Sequence, residues 1–460
     1  MTFCGTLPTM ATSMRPHPFL TRDRMQHSLT VLVASWLLAG GCSDSGPVGD
    51  GRSDVAPTPP AATRQAAAGS EVGEGKATDG DTPSLALWRA ELLSEAFAIA
   101  SSIPEEPHLR DKAKAQEWCA AAALALDQVD IARQYAESMK TWRQATVLAD
   151  IGGWYAAHGD AAQMEQLAER ALALAPVARD WQQERIRVHA ARAYAKAGRD
   201  KRAQALSSGV GEAEQGKVEA VVAARPNAES AKPSSEAPSF DAQMDQVDQW
   251  IMTLNFDLTR NAAEVCIALY AGCQGDRDRC ARVERSVAAA NKTLPPDIRI
   301  ANLLGLARVA AADGRLDRAA PLLDAAEAVL NSGTWMPEDE IVQVAAIALG
   351  KHVLGRTDDA RTDLKQASAL FEEKRDSIID IYRAAPLRAV AVAQAKIGDR
   401  HEARESFLRA IEEGATNPNA RPRAEDLTET CVAMVLHDVD PGDAGRARIA
   451  EIRKGLVDPW

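Results

Sequence analysis

Aromatic side chains make up only 5% of this 460-residue chain, and no stretch alternates strictly between β-branched and polar residues. A sheet-rich fold draws on both, so the composition argues for helices that pack closely through small side chains, alanine above all. Basic charge is in short supply. The formal net charge is -12 and the pI is about 5.3, which excludes a general nucleic-acid binder because an acidic surface repels the phosphate backbone. The 8 histidines stand singly, at His17, His27, His108, His158, His189, His352, His401 and His437, and none falls in a metal-ligand spacing. A GxSxG nucleophile elbow is also missing. These absences lead us to expect an all-α protein with no metal, no cofactor and no chemistry of its own.

Long apolar runs are absent as well. The most apolar stretch, Ser28 to Leu38 (SLTVLVASWLL), falls short of the roughly 20 residues a bilayer crossing needs. Arg15, Arg22 and Arg24 precede it and Ala39, Gly40 and Gly41 follow, which are the parts of a secretory signal. Met14 offers a later start that gives this signal an ordinary length. The small residues before Cys42 resemble a bacterial lipobox, with Ala39 where that pattern favours Leu. This resemblance implies acylation of Cys42 and an exported, membrane-anchored protein facing the periplasm, with the outer membrane preferred because no Asp follows the cysteine. Residues 1–41 are therefore expected as a signal peptide and 42–84, rich in Ser, Gly, Pro, Ala and Thr, as a disordered tether.

Helical periodicity starts at Leu85. Turn signals then recur at Asp127, Gly159, Gly198, Gly275, Gly314, Gly355, Gly398 and Gly442, separated by 32, 39, 77, 39, 41, 43 and 44 residues. A small residue follows most of them at a fixed offset: Ala132, Ala203, Cys280, Ala319, Ala360, Ala403 and Ala447. Such a residue is needed where two helices of a pair cross closely. The best-formed unit runs from Ala145 to Pro176, and its Leu148, Gly152, Tyr155, Gly159, Ala171 and Pro176 resemble the tetratricopeptide repeat, with Met164 in place of a small residue. The resemblance implies a right-handed α-solenoid of antiparallel helix pairs. A polar segment at 211–239 divides the array, so residues 85–210 and 240–460 are expected as two arrays joined by a disordered linker.

Tetratricopeptide repeats typically bind other proteins in the groove lined by the first helix of each pair. Carried onto this chain residue by residue, the charged groove positions are Arg185, Arg192, Lys196, Arg308, Arg388 and Lys396, with His352 beside them and no Asp or Glu among them. That bias suits an acidic peptide or a C-terminal carboxylate. Other envelope proteins are thus the expected partners, with the membrane reached through the lipid alone. Self-assembly into an envelope structure, end repeat to end repeat, is the alternative, followed by a cell-wall polysaccharide binder or hydrolase.

Of the 7 cysteines, Cys4 and Cys42 fall in the leader and at the anchor; Cys266, Cys273 and Cys280 recur at intervals of seven. Cys273 and Cys280 flank a turn, and in an oxidising compartment they could bridge, although cysteine is as readily a small core residue. Trp88, Trp118, Trp142, Trp154 and Trp181 gather in the first array, where core packing is expected of them.

Overall fold

A computed structural model describes residues 85–224, 239–273 and 276–460. All of them fall in the second of two units that divide the chain between Lys76 and Ala77. The expected signal, Cys42 and nearly all of the tether lie outside the described residues, as do 225–238 and 274–275.

Among the described residues there are nineteen α-helices and no strand. In order they are α1 (Leu87–Ser102), α2 (Leu109–Ala125), α3 (Val129–Ser138), α4 (Arg143–Ala157), α5 (Ala161–Ala173), α6 (Asp180–Lys196), α7 (Asp200–Ser207), α8 (Glu212–Ala224), α9 (Phe240–Met252) and α10 (Phe256–Ala271). They continue with α11 (Arg277–Ala290), α12 (Pro296–Ala312), α13 (Leu316–Ser332), α14 (Pro337–Val353), α15 (Thr357–Lys374), α16 (Ala384–Lys396), α17 (Arg400–Ala415), α18 (Ala420–Leu436) and α19 (Gly442–Lys454). This is an all-α helical-repeat protein.

The turns follow from local chemistry. Asp127, Gly159, Gly198, Gly314, Gly355 and Gly398 all adopt positive φ just after an even-numbered helix, a conformation that stops the helix and reverses the chain. Side chains then start some of the next helices: Asp160 accepts from the backbone N–H of Gln163, and Asp276 from those of Asp278 and Arg279. At the crossings Ala132, Ala203, Cys280, Ala319, Ala360 and Ala403 are at most 2% exposed. A Cβ on Gly152 would lie 3.2 Å from the Met164 carbonyl oxygen, so α4 and α5 meet backbone to backbone there. The last unit departs from the expected register. Asp438 takes positive φ directly after α18, and Gly442 takes it again where α19 begins, with three residues between them. The close crossing therefore falls on buried Gly445, where a Cβ would meet Pro441 and Leu408 at 2.7 and 2.9 Å, while Ala447 is exposed.

Consecutive even-numbered helices pack on one another all along the chain, whereas odd-numbered helices mostly touch only the even ones. That arrangement places the even helices in an inner layer and the odd ones outside. Part of the segment expected as linker belongs to the inner layer. Its helix α8 packs between α6 and α10, with Val218 4% exposed and Val221 and Val222 partly buried, because these valines recur on one face.

The circuit closes. Inner helix α18 packs on both α1 and α2, so one apolar cluster contains Leu93 and Ile99 from the start of the described chain together with Leu427, Cys431 and Val435 from its end. Polar contacts cross the same seam. Arg89 donates to the Val435 carbonyl at 3.0 Å, Arg421 to Asp111 at 3.4 Å, and Arg453 to Glu95 at 2.6 Å. The last of these extends a ladder of ion pairs between neighbouring outer helices, which includes Arg170–Glu137, Arg202–Glu169, Arg318–Glu284, Arg409–Glu372 and Arg448–Glu412. Each exposed rung contributes little alone, on the order of 0–1 kcal/mol.

Candidate functional site

Helices α4, α6 and α8 carry the first charged sector of the inner layer. His189 Nδ1 lies 2.8 Å from an Asp150 oxygen, and Lys196 extends across Gly153, whose absent side chain leaves the space: a Cβ there would sit 3.4 Å from the lysine Nζ. Asp150 keeps 42% of its side chain in contact with solvent, yet desolvation is the largest influence on its carboxyl. Solvent contact inside a protein-crowded surrounding is the mark of a concave wall. His189, Arg192 and Lys196 outweigh that penalty and hold Asp150 below the usual carboxylate range. Lys196 is pulled down, by desolvation first and by Arg192 second. Arg185 sits 3.8 Å from Glu214 of α8, which also receives Lys217 at 2.7 Å.

A second sector comes from α12, α16 and α18. Desolvation lowers Arg308, and desolvation together with the charge of Arg308 pulls Lys396 down to about 7. Burial, then Lys396 and Arg89, bring His437 to about 3, so this imidazole is neutral across the physiological range. Arg308 and Lys396 from two inner helices, with Arg89 from α1, are thus gathered close enough to influence one another or His437.

Of the seven residues expected to line a groove, the structure brings Arg185, Arg192 and Lys196 into the first sector and Arg308 and Lys396 into the second. His352 turns to the start of the next outer helix, where Nδ1 meets Thr357 Oγ1 at 2.9 Å. Arg388 does not face a groove. It is 4% exposed and reaches into the seam between α16 and α18, where it pairs with Glu429, approaches Asp426 at 3.9 Å and donates to Thr430 Oγ1 at 3.4 Å. Asp150 and Glu214 are the acidic members the sequence reading missed; the partial negative charge they bring is legible only once α4 and α8 flank α6.

Cys273 and Cys280 are free thiols, as are Cys119, Cys266 and Cys431, and all five are buried. Trp88, Trp118, Trp142 and Trp154 pack against the main apolar cluster. Trp181 is 52% exposed and meets Trp142 edge to face at 5.3 Å.

The two edges of the layered circuit differ. Among the described residues eleven large apolar side chains are exposed; eight of them (Leu109, Val177, Trp181, Met252, Leu254, Phe256, Met336 and Ile379) lie where outer helices lead into inner ones, and a ninth, Val457, follows the end of the last outer helix. Only Leu87 and Leu316 lie at the opposite edge. The apolar edge also holds a cleft of about 660 Å³ lined by Pro104, Glu106, Pro107, His108, Asp458, Pro459 and Trp460. On the same edge Asp339 is raised to about 6 by burial, with Glu338 and Asp297 adding to the effect. Among the described residues no three His, Cys, Asp or Glu side chains gather closely enough to hold a metal ion.

No family model matches the chain, and no curated protein matches it significantly. Solved structures similar to it include two repeat proteins. One, of nearly identical TPR-like repeats from Podosopora anserina, is 20% identical and covers 52% of this chain and 99% of its own, with a TM-score of 0.24. The other is a circular tandem repeat protein with novel repeat topology and enhanced subunit contact surfaces; it is 15% identical and covers 80% of this chain and 94% of its own, with a TM-score of 0.22. At those scores the class rests on the helices themselves.

Proposed function

We propose that this protein is an interaction scaffold of the bacterial envelope, held by acylated Cys42, that binds acidic segments of partner proteins on its inner face. One observation carries the reading: a protein of net charge -12 gathers Arg192, Lys196, Arg308 and Lys396 on its inner helices, the last three in desolvated surroundings. A carboxylate-rich segment gains charge-assisted hydrogen bonds there that bulk water weakens at the outer surface. Fluorescence anisotropy with an Asp/Glu-rich peptide and a Lys-rich one tests this. Binding of the acidic peptide alone is expected, weakened at least about tenfold by Arg192→Glu with Lys196→Glu. Equal binding of both peptides, or no effect of the double reversal on a folded protein, contradicts it.

The apolar edge favours a second reading, self-association. Assembly end repeat to end repeat has no free ends to use, since α18 and α19 already cover α1 and α2. Stacking of copies edge to edge would bury the nine apolar side chains instead. Concentration-dependent mass by light scattering, abolished by Val177→Asp with Leu254→Asp, would identify it; an invariant monomer mass rules it out.

A further inference from the structure

The densest reactive cluster outside the inner face lies where α10 turns into α11. Cys273 and Cys280 are 0% and 2% exposed. The Cys273 carbonyl accepts both the Asp276 backbone N–H at 3.0 Å and the Cys280 thiol at 3.2 Å, while the Cys273 thiol donates to the Leu269 carbonyl at 3.4 Å. Arg315, from the turn between α12 and α13, brings Nη1 to 2.9 Å from the Cys280 sulfur. Its guanidinium is fixed there. Nη2 donates to the Tyr270 carbonyl at 3.2 Å and to Asp313 at 2.6 Å, and the group lies 4.4 Å over the Tyr270 ring.

The two sulfurs are therefore not equivalent. A fixed guanidinium beside Cys280 meets the negative charge that develops as its proton leaves. Burial instead pushes the Cys273 thiol up to about 12, which keeps it protonated. We propose that Cys273 and Cys280 form a peroxide-oxidised dithiol, with Cys280 the attacking sulfur, Cys273 the resolving one and Arg315 the positioning residue. In the first step the Cys280 thiolate attacks one oxygen of hydrogen peroxide, forming sulfenic acid and expelling hydroxide, which takes up the proton Cys280 released. In the second the Cys273 sulfur attacks the Cys280 sulfur and loses its own proton, and the sulfenic hydroxyl leaves as water. Two thiols and one peroxide become one disulfide and two waters. Peroxide is about the size of two water oxygens, so a small local opening between the end of α10 and the start of α11 and α13 admits it where a protein oxidant would be excluded.

The test uses the whole native protein, with its other cysteines as internal controls. After a hydrogen peroxide pulse, remaining thiols are alkylated in denaturant and mapped by mass spectrometry. The expected product is a Cys273–Cys280 linkage with loss of two hydrogens, while Cys119 and Cys431 are alkylated as thiols. Arg315→Gln should slow the linkage about tenfold and Arg315→Lys less, because the lysine retains the charge. In Cys273→Ser, oxidation should stop at a Cys280 sulfenic acid trapped by dimedone. Five alkylated thiols after the pulse would overturn the proposal. So would linkage with no preference for this pair, a rate indifferent to Arg315→Gln, or dimedone capture on other cysteines only.

Discussion

Arg388 gives the sharpest energetic test because the sequence and the structure assign it different work. At a groove position, its reversal would abolish binding and leave the fold intact. In the structure it neutralises two carboxylates inside the seam between α16 and α18, with Arg388 4% and Asp426 3% exposed. Truncating one member of such a buried set leaves charge without compensation, at a cost of about 3–5 kcal/mol. At about 1.4 kcal/mol per factor of ten, Arg388→Ala should shift the folding equilibrium by two to three and a half orders of magnitude. The triple variant Arg388→Met, Asp426→Asn, Glu429→Gln should recover most of the loss, since it removes the charges together with their partner. Urea unfolding followed by circular dichroism measures both. A loss under about 1 kcal/mol for Arg388→Ala, or no recovery in the triple variant, would refute the buried-pair reasoning.

Three further outcomes are expected. Asp339 has a folded pKa above its unfolded one, so the native state disfavours its charged form and stability falls as pH rises from about 4 through about 6; Asp339→Asn should gain about 1–2 kcal/mol at neutral pH and nothing in acid, read from thermal melts at each pH. Lys396 has the reverse relation: with its folded value near 7 and its ordinary value at 10.5, the native state holds fewer protons between them, so stability climbs with pH across that window and Lys396→Met should flatten the slope. The neighbouring glycines should respond oppositely to alanine. At Gly153 the added Cβ meets only the flexible Lys196 end and helix propensity gains about 0.5–1 kcal/mol, whereas at Gly152 it meets the Met164 backbone and loses about 1–2 kcal/mol, both measurable by denaturant midpoint.

Turns and crossings were legible because they depend on residues a few positions apart. A left-handed glycine and a small residue one and a half helical turns later recur through most of the chain, and positive φ falls at all seven of the expected turn positions that are described. The final unit slipped because it holds two left-handed residues, Asp438 and Gly442, of which only the glycine reads as a turn in the sequence. Helix α8 was hidden by its surroundings: three valines on one face disappear in a segment whose average composition is polar. Groove membership needs contacts about forty residues distant. Arg388 and Arg192 both lie on inner helices, and only Asp426 and Glu429 on the next inner helix decide that Arg388 turns into the seam. Closure has no local signature at all, because Glu95 and Arg453 are 358 residues apart.

That closure is the claim from which the enclosed inner face follows. The most direct measurement replaces Glu95 and Arg453, now joined at 2.6 Å on neighbouring outer helices, with cysteines in the monomeric protein and treats it with a short bifunctional thiol reagent. Rapid intramolecular crosslinking in the double variant, absent from either single variant and detected as a compact band in denaturing gels, is the predicted result. Crosslinks that form only between molecules, or none at all, would mean that the repeat array is open and that its charged inner helices face bulk solvent.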